Sequence, residues 1–228
     1  MKKSAFFNVI LLVLLVLLVS GCASPATPTE ADTRVPTGVP PDTLTILAFG
    51  DSLTEGYGVG PQENYPAQLQ AKLLTDGYDV KVINGGISGE TSSAALSRLD
   101  WMLKTQPDIV IVETGANDAL RAVSLVLTRQ NIDEIVRRFS ESGAVVIVAG
   151  LQIIQNLGPD YTTEFAEIYP AVAEKHGAIL IPFVLEGVAA NAELNQADFI
   201  HPTGAGYAVM VEHIYPYILD AVQQAQNR

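Results

Sequence analysis

Residues 44–58 read LTILAFGDSLTEGYG. From Leu44 to Phe49 the chain is apolar at every position but Thr45, and it then breaks into a glycine-rich polar turn. A strand with one wet face alternates apolar and polar residues; a run without that alternation reads as a strand buried on both faces, as in a parallel sheet. The same pattern recurs at Val80–Ile83, Ile109–Val112, Ala144–Ala149 and Ile179–Ile181. Amphipathic stretches at about Tyr65–Asp76, Thr91–Thr105, Arg129–Ser142, Tyr161–His176 and Thr203–Gln226 have helical spacing. Gly77, Gly143 and Gly177 stand where helices should end, the position at which a left-handed residue closes a helix. This alternation predicts an α/β fold, a three-layer α/β/α sandwich around a doubly wound five-stranded parallel sheet.

In such sheets ligands bind beyond the carboxyl ends of the strands, so the turns that follow the strands are the ones to read for chemistry. After the first strand comes GDSLTEGYG (50–58), after the second NGGISGET (84–91), and after the third ETGAND (113–118). A fourth segment, Asp198-Phe199-Ile200-His201-Pro202, precedes the last helix. Together they supply a hydroxyl, a histidine with an acid three residues before it, and amide donors able to hold an oxyanion. Each element also has a plain structural reading. Ser52 suits a helix N-cap, Gly50 and Gly89 suit ordinary turns, Asn117 suits a cap or a left-handed position, and His201 suits a satisfied loop histidine. Their co-occurrence at one sheet edge favours the catalytic reading.

These four segments resemble the four blocks of the SGNH (GDSL) hydrolase superfamily, in order and from about Leu44 to the C-terminus, and within it the bacterial thioesterase I, lysophospholipase L1 and arylesterase group. The resemblance implies a flavodoxin-like hydrolase domain with Ser52 as nucleophile, His201 as the base that takes its proton, and Asp198 as the acid that orients the imidazole. It implies an oxyanion hole made by the backbone N–H groups of Ser52 and Gly89 and the side-chain amide of Asn117. Asp51 and Asp118 are expected as hydrogen-bond partners behind the site. Two departures bear on substrate. Ile154 and Gln155 stand where relatives commonly carry a Pro-Pro pair, in a loop that lines the acyl pocket in the family, so Ile154 and Leu157 are candidate substrate contacts. Phe199 stands where a glycine is often found between acid and histidine, and its ring either narrows the entrance or packs against the final helix.

Composition limits the alternatives. Thirteen basic against 25 acidic side chains give a net charge of -12, which disfavours nucleic acid as a partner. One cysteine and three histidines without ligand spacing give no reason to expect a metal, and the resemblance implies no cofactor. Ser52 follows the first strand with Thr54 where an α/β-hydrolase elbow has glycine, and the turn lacks the Lys-Ser/Thr pair of a phosphate-binding loop.

Residues 1–22 read as a lipoprotein signal peptide: Lys2 and Lys3, an apolar run from Val9 to Val19 too short for a comfortable membrane span, then Val19-Ser20-Gly21-Cys22. The last four residues resemble the bacterial lipobox, which implies lipidation at Cys22. Its removal leaves 11 basic and 25 acidic side chains, a net charge of -14. Residues 23–43, with five prolines among Thr, Ala and Ser, read as an extended tether ahead of a hydrolase domain at 44–228. The expectation is an extracytoplasmic, membrane-anchored monomer, at the outer membrane if the cell has two. It is expected to act as a serine esterase on acyl esters, thioesters or lysolipids. Deacetylation of envelope carbohydrate is the alternative within the same chemistry, and a non-catalytic tethered binding lipoprotein is the alternative outside it.

Overall fold

The structure, a computed structural model, describes residues 43–153 and 158–228. The signal peptide with Cys22, the tether up to residue 42, and Ile154 and Leu157 lie outside the described residues. The apolar runs form the strands β1 (Leu44–Gly50), β2 (Val80–Gly86), β3 (Ile109–Glu113), β4 (Val145–Ala149) and β5 (Ile179–Ile181). They pair in parallel in the order β2-β1-β3-β4-β5. β3 and β4 are buried at every residue, and Ile46 to Phe49 of β1 are fully buried, which is why these segments carry no polar alternation. β2, at an edge, exposes Lys81 and Asn84.

The helices are α1 (Ser52–Glu55), α2 (Tyr65–Thr75), α3 (Ser92–Ser97), α4 (Leu99–Leu103), α5 (Ala116–Leu120), α6 (Leu125–Glu141), α7 (Pro159–His176) and α8 (Gly204–Gln226). α2 and α8 pack together over one face of the sheet, and α3, α6 and α7 over the other. The core is continuous across both layers: Phe49 meets Phe139 of α6 edge to face at 5.3 Å, and Tyr65, Tyr169 and Tyr207 are fully buried beside it. Each such side chain stabilises the fold by roughly 1.5–3 kcal/mol.

Three details differ from the sequence expectation. The helix expected over Thr91–Thr105 is two, because Arg98 leaves helical geometry (φ -101°, ψ 4°) and turns its guanidinium inward to Glu90 and the Gly50 carbonyl. α6 starts at Leu125 instead of about Arg129, four residues early, with Thr128 reaching Asp118 from its first turn. The short helices α1 and α5, hidden inside the glycine-rich turns, were not expected from periodicity at all.

Register places the site. Gly50 lies opposite Gly86 on one side and Glu113 on the other, so the first three strands end in line. The three turns therefore start from one edge, whereas the chain enters the sheet at Leu44, at the opposite edge.

Candidate active site

Leaving β1, the chain turns directly into α1. Asp51 is its N-cap, its carboxylate accepting from the Leu53 N–H at 3.1 Å, so capping belongs to Asp51 and leaves the Ser52 hydroxyl unoccupied by that role. Gly50 cannot carry a side chain here: a Cβ would lie 2.1 Å from Thr54 Oγ1 and 2.5 Å from the Glu113 carbonyl. The Gly50 carbonyl is itself clamped, accepting from the Ile87 N–H at 3.1 Å and from Arg98 at 3.2 Å.

Ser52 Oγ lies 2.8 Å from His201 Nε2, across 149 residues of chain. On the other side of the ring Nδ1 donates to Asp198 Oδ2 at 2.7 Å, which leaves Nε2 as the acceptor for the serine hydroxyl. Asp198 Oδ1 accepts from the backbone N–H groups of Ile200 and His201, both at 3.0 Å, so the acid and the base are fixed to one tight turn. Partial burial pulls the Asp198 carboxyl upward, but the His201 ring and the two backbone donors outweigh it and hold the group at about 2. It is a carboxylate across the working pH range. Tyr57 lies against the imidazole, ring centroids 4.8 Å apart, and braces it from outside. The Gln196 amide donates to the Tyr57 carbonyl at 2.7 Å and ties that brace to the histidine turn.

Gly89 has φ +76° and its carbonyl accepts from Arg121 at 2.8 Å. Gly115, the left-handed N-cap of α5 at φ +116°, allows no Cβ: one would lie 2.8 Å from Tyr169 Oη. That turn presents Asn117, whose amide donates to Asp51 Oδ2 at 3.0 Å. One N–H held on Asp51 leaves the second N–H of the same planar amide for the cavity that Asn117 lines. Asp118 points away and accepts from the Ser92 N–H (2.7 Å), Ser92 Oγ (2.6 Å) and Thr128, bracing α3, α5 and α6 instead of touching the reacting groups.

Behind Asp51 lies a second acid, Glu113, which the sequence places in the turn after the third strand and to which it assigns no role. Glu113, fully buried, accepts from the Asp51 N–H at 3.3 Å and from Thr54 Oγ1 at 2.9 Å, and Thr54 in turn meets Tyr65 Oη at 3.2 Å. Burial lifts the Asp51 carboxyl to about 6 even against its bonds from Leu53 and Asn117. Burial, and then the nearby Asp51, push Glu113 well above the usual carboxylate range. The pair therefore does not confront the site with two buried charges.

Ser52, Gly89, Asn117 and His201 all line one cavity of about 700 Å³, walled by aliphatic side chains that include Leu53, Leu120, Leu151, Ile153 and Leu185. That size suits a small-molecule or single-chain ligand. Phe199 lines it too, but its ring is 65% exposed, so it does not pack against α8. The other two histidines serve elsewhere: His176 sits on Asp133 and His213 on the Phe183 carbonyl. Among the described residues no cluster of three His, Cys, Asp or Glu is arranged to hold a metal ion.

A serine hydroxyl, a histidine and a carboxylate joined by hydrogen bonds at the edge of a five-stranded parallel sheet fit a hydrolase, and residues 48–209 match the family model of the GDSL-like Lipase/Acylhydrolase family. The chain belongs to that family. It is 37% identical to Esterase TesA of Pseudomonas aeruginosa over 75% of this chain and 86% of the relative. It is 36% identical to Thioesterase 1/protease 1/lysophospholipase L1 of Escherichia coli strain K12, over 69% of this chain and 75% of the relative. Among solved structures, the psychrotrophic esterase EstA of Pseudoalteromonas sp., inhibited by monoethylphosphonate, superposes with a TM-score of 0.73 at 31% identity. The match covers 99% of the EstA chain and 81% of this one.

Proposed function

We propose that this carboxylic ester hydrolase works through an acyl-enzyme on Ser52 and takes single-acyl esters, thioesters and lysolipids as its natural class of substrate. The observation that carries the mechanism is the unbroken line from Ser52 Oγ through His201 to Asp198, at 2.8 and 2.7 Å, opening into the aliphatic cavity. Ser52 Oγ attacks the acyl carbon as its proton passes to His201 Nε2. Asp198 keeps Nδ1 protonated and stabilises the imidazolium. The negative charge on the carbonyl oxygen is met by the N–H groups of Ser52 and Gly89 and the amide of Asn117, each such donor being worth about 2.7–4 kcal/mol of barrier. His201 then returns the proton to the leaving alkoxide or thiolate, water enters, and the same groups repeat the sequence to release the acid.

The substrate class is supported by the aliphatic wall and by the names of two relatives, an esterase and a thioesterase/lysophospholipase. We also propose that Cys22, the sole cysteine, is lipidated after cleavage at Gly21-Cys22, which holds the enzyme outside the cytoplasm on a membrane. Mass spectrometry of the mature N-terminus tests this directly, and an unmodified Cys22 in membrane-extracted protein refutes it.

The enzymatic test compares the domain from Val39 onward with its Ser52→Ala variant on p-nitrophenyl esters of rising chain length and on lysophosphatidylcholine. Serine-dependent turnover that grows with chain length and extends to the lysolipid supports the reading. Turnover confined to acetyl esters redirects it to carbohydrate deacetylation. A folded domain that turns over no ester refutes it.

A further inference from the structure

The mouth of the catalytic cavity is ringed by large apolar side chains that the protein leaves in water. Tyr57, Leu120, Phe199 and Ile200 all line the cavity and are all exposed, and Ile87, exposed too, immediately precedes the cavity-lining Ser88 and Gly89 in the turn after β2. They come from four separate turns at the carboxyl edge of the sheet. Exposed apolar residues scattered singly need no explanation, but a ring of them around an opening marks a contact surface. Phe199 sharpens the point. Its backbone is left-handed at φ +58°, a conformation that costs a bulky residue and suits glycine or asparagine. Its ring packs so little that it is the most exposed of the large hydrophobic side chains described. Neither its backbone nor its packing accounts for a phenylalanine here, so the account must lie outside the chain.

We propose that this rim is a lipid-docking surface: the domain rests on a zwitterionic lipid surface with Phe199, Ile200, Leu120 and Tyr57 inserted at the headgroup boundary, and substrate passes from lipid to cavity without crossing water. The inference rests on the single-acyl lipid reading above and adds where that substrate is met. Charge selects the kind of surface. With 25 acidic against 11 basic side chains once residues 1–22 are removed, the protein is repelled by anionic lipid, so attachment comes from apolar insertion. The 42 residues that precede the described domain carry the Val19-Ser20-Gly21-Cys22 lipidation sequence, which brings the domain to a lipid surface in the first place. A protein partner suits the rim less well, because the apolar residues surround an opening instead of forming a continuous face.

The test uses the compact unit from Val39 to Arg228 carrying Ser52→Ala, so that lipid is not consumed, mixed with sucrose-loaded phosphatidylcholine vesicles and sedimented. The expected result is co-sedimentation that is unaffected by salt and weakened by adding anionic lipid. Phe199→Asn, which keeps a side chain tolerant of the left-handed backbone, lowers the partition coefficient about tenfold, and Leu120→Asp does the same, with thermal unfolding unchanged in both. A rim-intact domain that stays in the supernatant overturns the proposal, as does a Phe199→Asn variant that sediments like its parent, or binding seen only with anionic vesicles and lost in salt. The Ser52 domain is assayed alongside on a soluble p-nitrophenyl butyrate. Hydrolysis there without vesicle binding leaves the esterase reading standing and removes only the docking surface, whereas absence of both removes both.

Discussion

Replacing Asp51 with asparagine should separate the oxyanion hole from the fold. In the wild type the Asp51 carboxylate accepts two bonds with its two oxygens, one from the Leu53 N–H at 3.1 Å and one from the Asn117 amide at 3.0 Å. Asparagine has a single acceptor oxygen. If that oxygen keeps the Leu53 cap, two NH₂ groups face each other at Asn117, and the Asn117 amide turns over to present its own oxygen. The cavity then faces a lone pair where an N–H belongs. The loss is that of one oxyanion donor, about 2.7–4 kcal/mol, or about 10²- to 10³-fold in kcat. KM should move by less than about threefold, since the interaction is made only in the transition state. The discriminating assay is a double-mutant cycle with Asn117→Ala on p-nitrophenyl butyrate: the double variant should be no slower than either single one, because Asp51 acts only through Asn117. Additive losses, or an Asp51→Asn enzyme within twofold of wild type, would refute the reasoning.

Four further outcomes are expected. Asp198→Asn should lower kcat about 10²- to 10⁴-fold, because the histidine loses the acceptor that fixes its tautomer. In the wild type the stability contributed by Asp198, whose carboxyl is held at about 2, should be fully present above about pH 4 and be lost as pH falls through about 2, read from Tm against pH beside Asp198→Asn. Asp51 and Glu113 work in the opposite sense: a carboxyl held above its unfolded value, 3.8 for Asp51 and 4.5 for Glu113, favours the folded chain fully below that pH. That support is lost as pH rises towards about 6. The ceiling from Asp51 is about 3 kcal/mol, so Glu113→Gln should flatten the fall in Tm between pH 4 and 7, and an unchanged slope would count against a buried acid pair. Gly115→Ala should cost about 1–3 kcal/mol in stability and also lower kcat, since relieving the 2.8 Å approach to Tyr169 Oη displaces the turn that carries Asn117.

The sheet is readable in the sequence for a physical reason, whereas the roles of Ser52, His201 and Asp198 come from the resemblance of four short blocks, and the structure brings those three side chains within hydrogen-bond reach. Strands buried on both faces write themselves as unbroken apolar runs, and the turns that approach a reacting carbonyl need small residues in contiguous blocks. What was not readable depends on register. Asp51 and Glu113 are 62 residues apart and meet only because Gly50 pairs with Glu113 across two strands. Within its own segment Glu113 is simply the last residue of a hydrophobic strand. Arg98 looks like one more charge on a helix, yet its partners are Glu90 and a carbonyl of another strand. Ser52 had a credible local reading as a cap, and only the geometry hands that task to Asp51. Phe199 is legible as a departure from a glycine common in the family, but neither its left-handed backbone nor the exposure of its ring is.

The chain enters the sheet at Leu44, on the side away from the catalytic turns. Whatever holds the protein ahead of residue 43, an acylated cysteine or an engineered support, therefore grips it by the back. Under the proposal that Cys22 is lipidated, the enzyme can face its anchoring membrane only by turning round on a tether longer than its own body. A domain of this size is about 40 Å across. The 20 residues from 23 to 42 reach at most about 70 Å when fully drawn out, enough to turn round, whereas half that number, at about 35 Å, is not. Leash length is thus a design variable in its own right. If Cys22 is lipidated as proposed, cutting these residues in half should spare turnover of dissolved esters and silence attack on lipid in the anchoring membrane, while a neighbouring vesicle remains within reach.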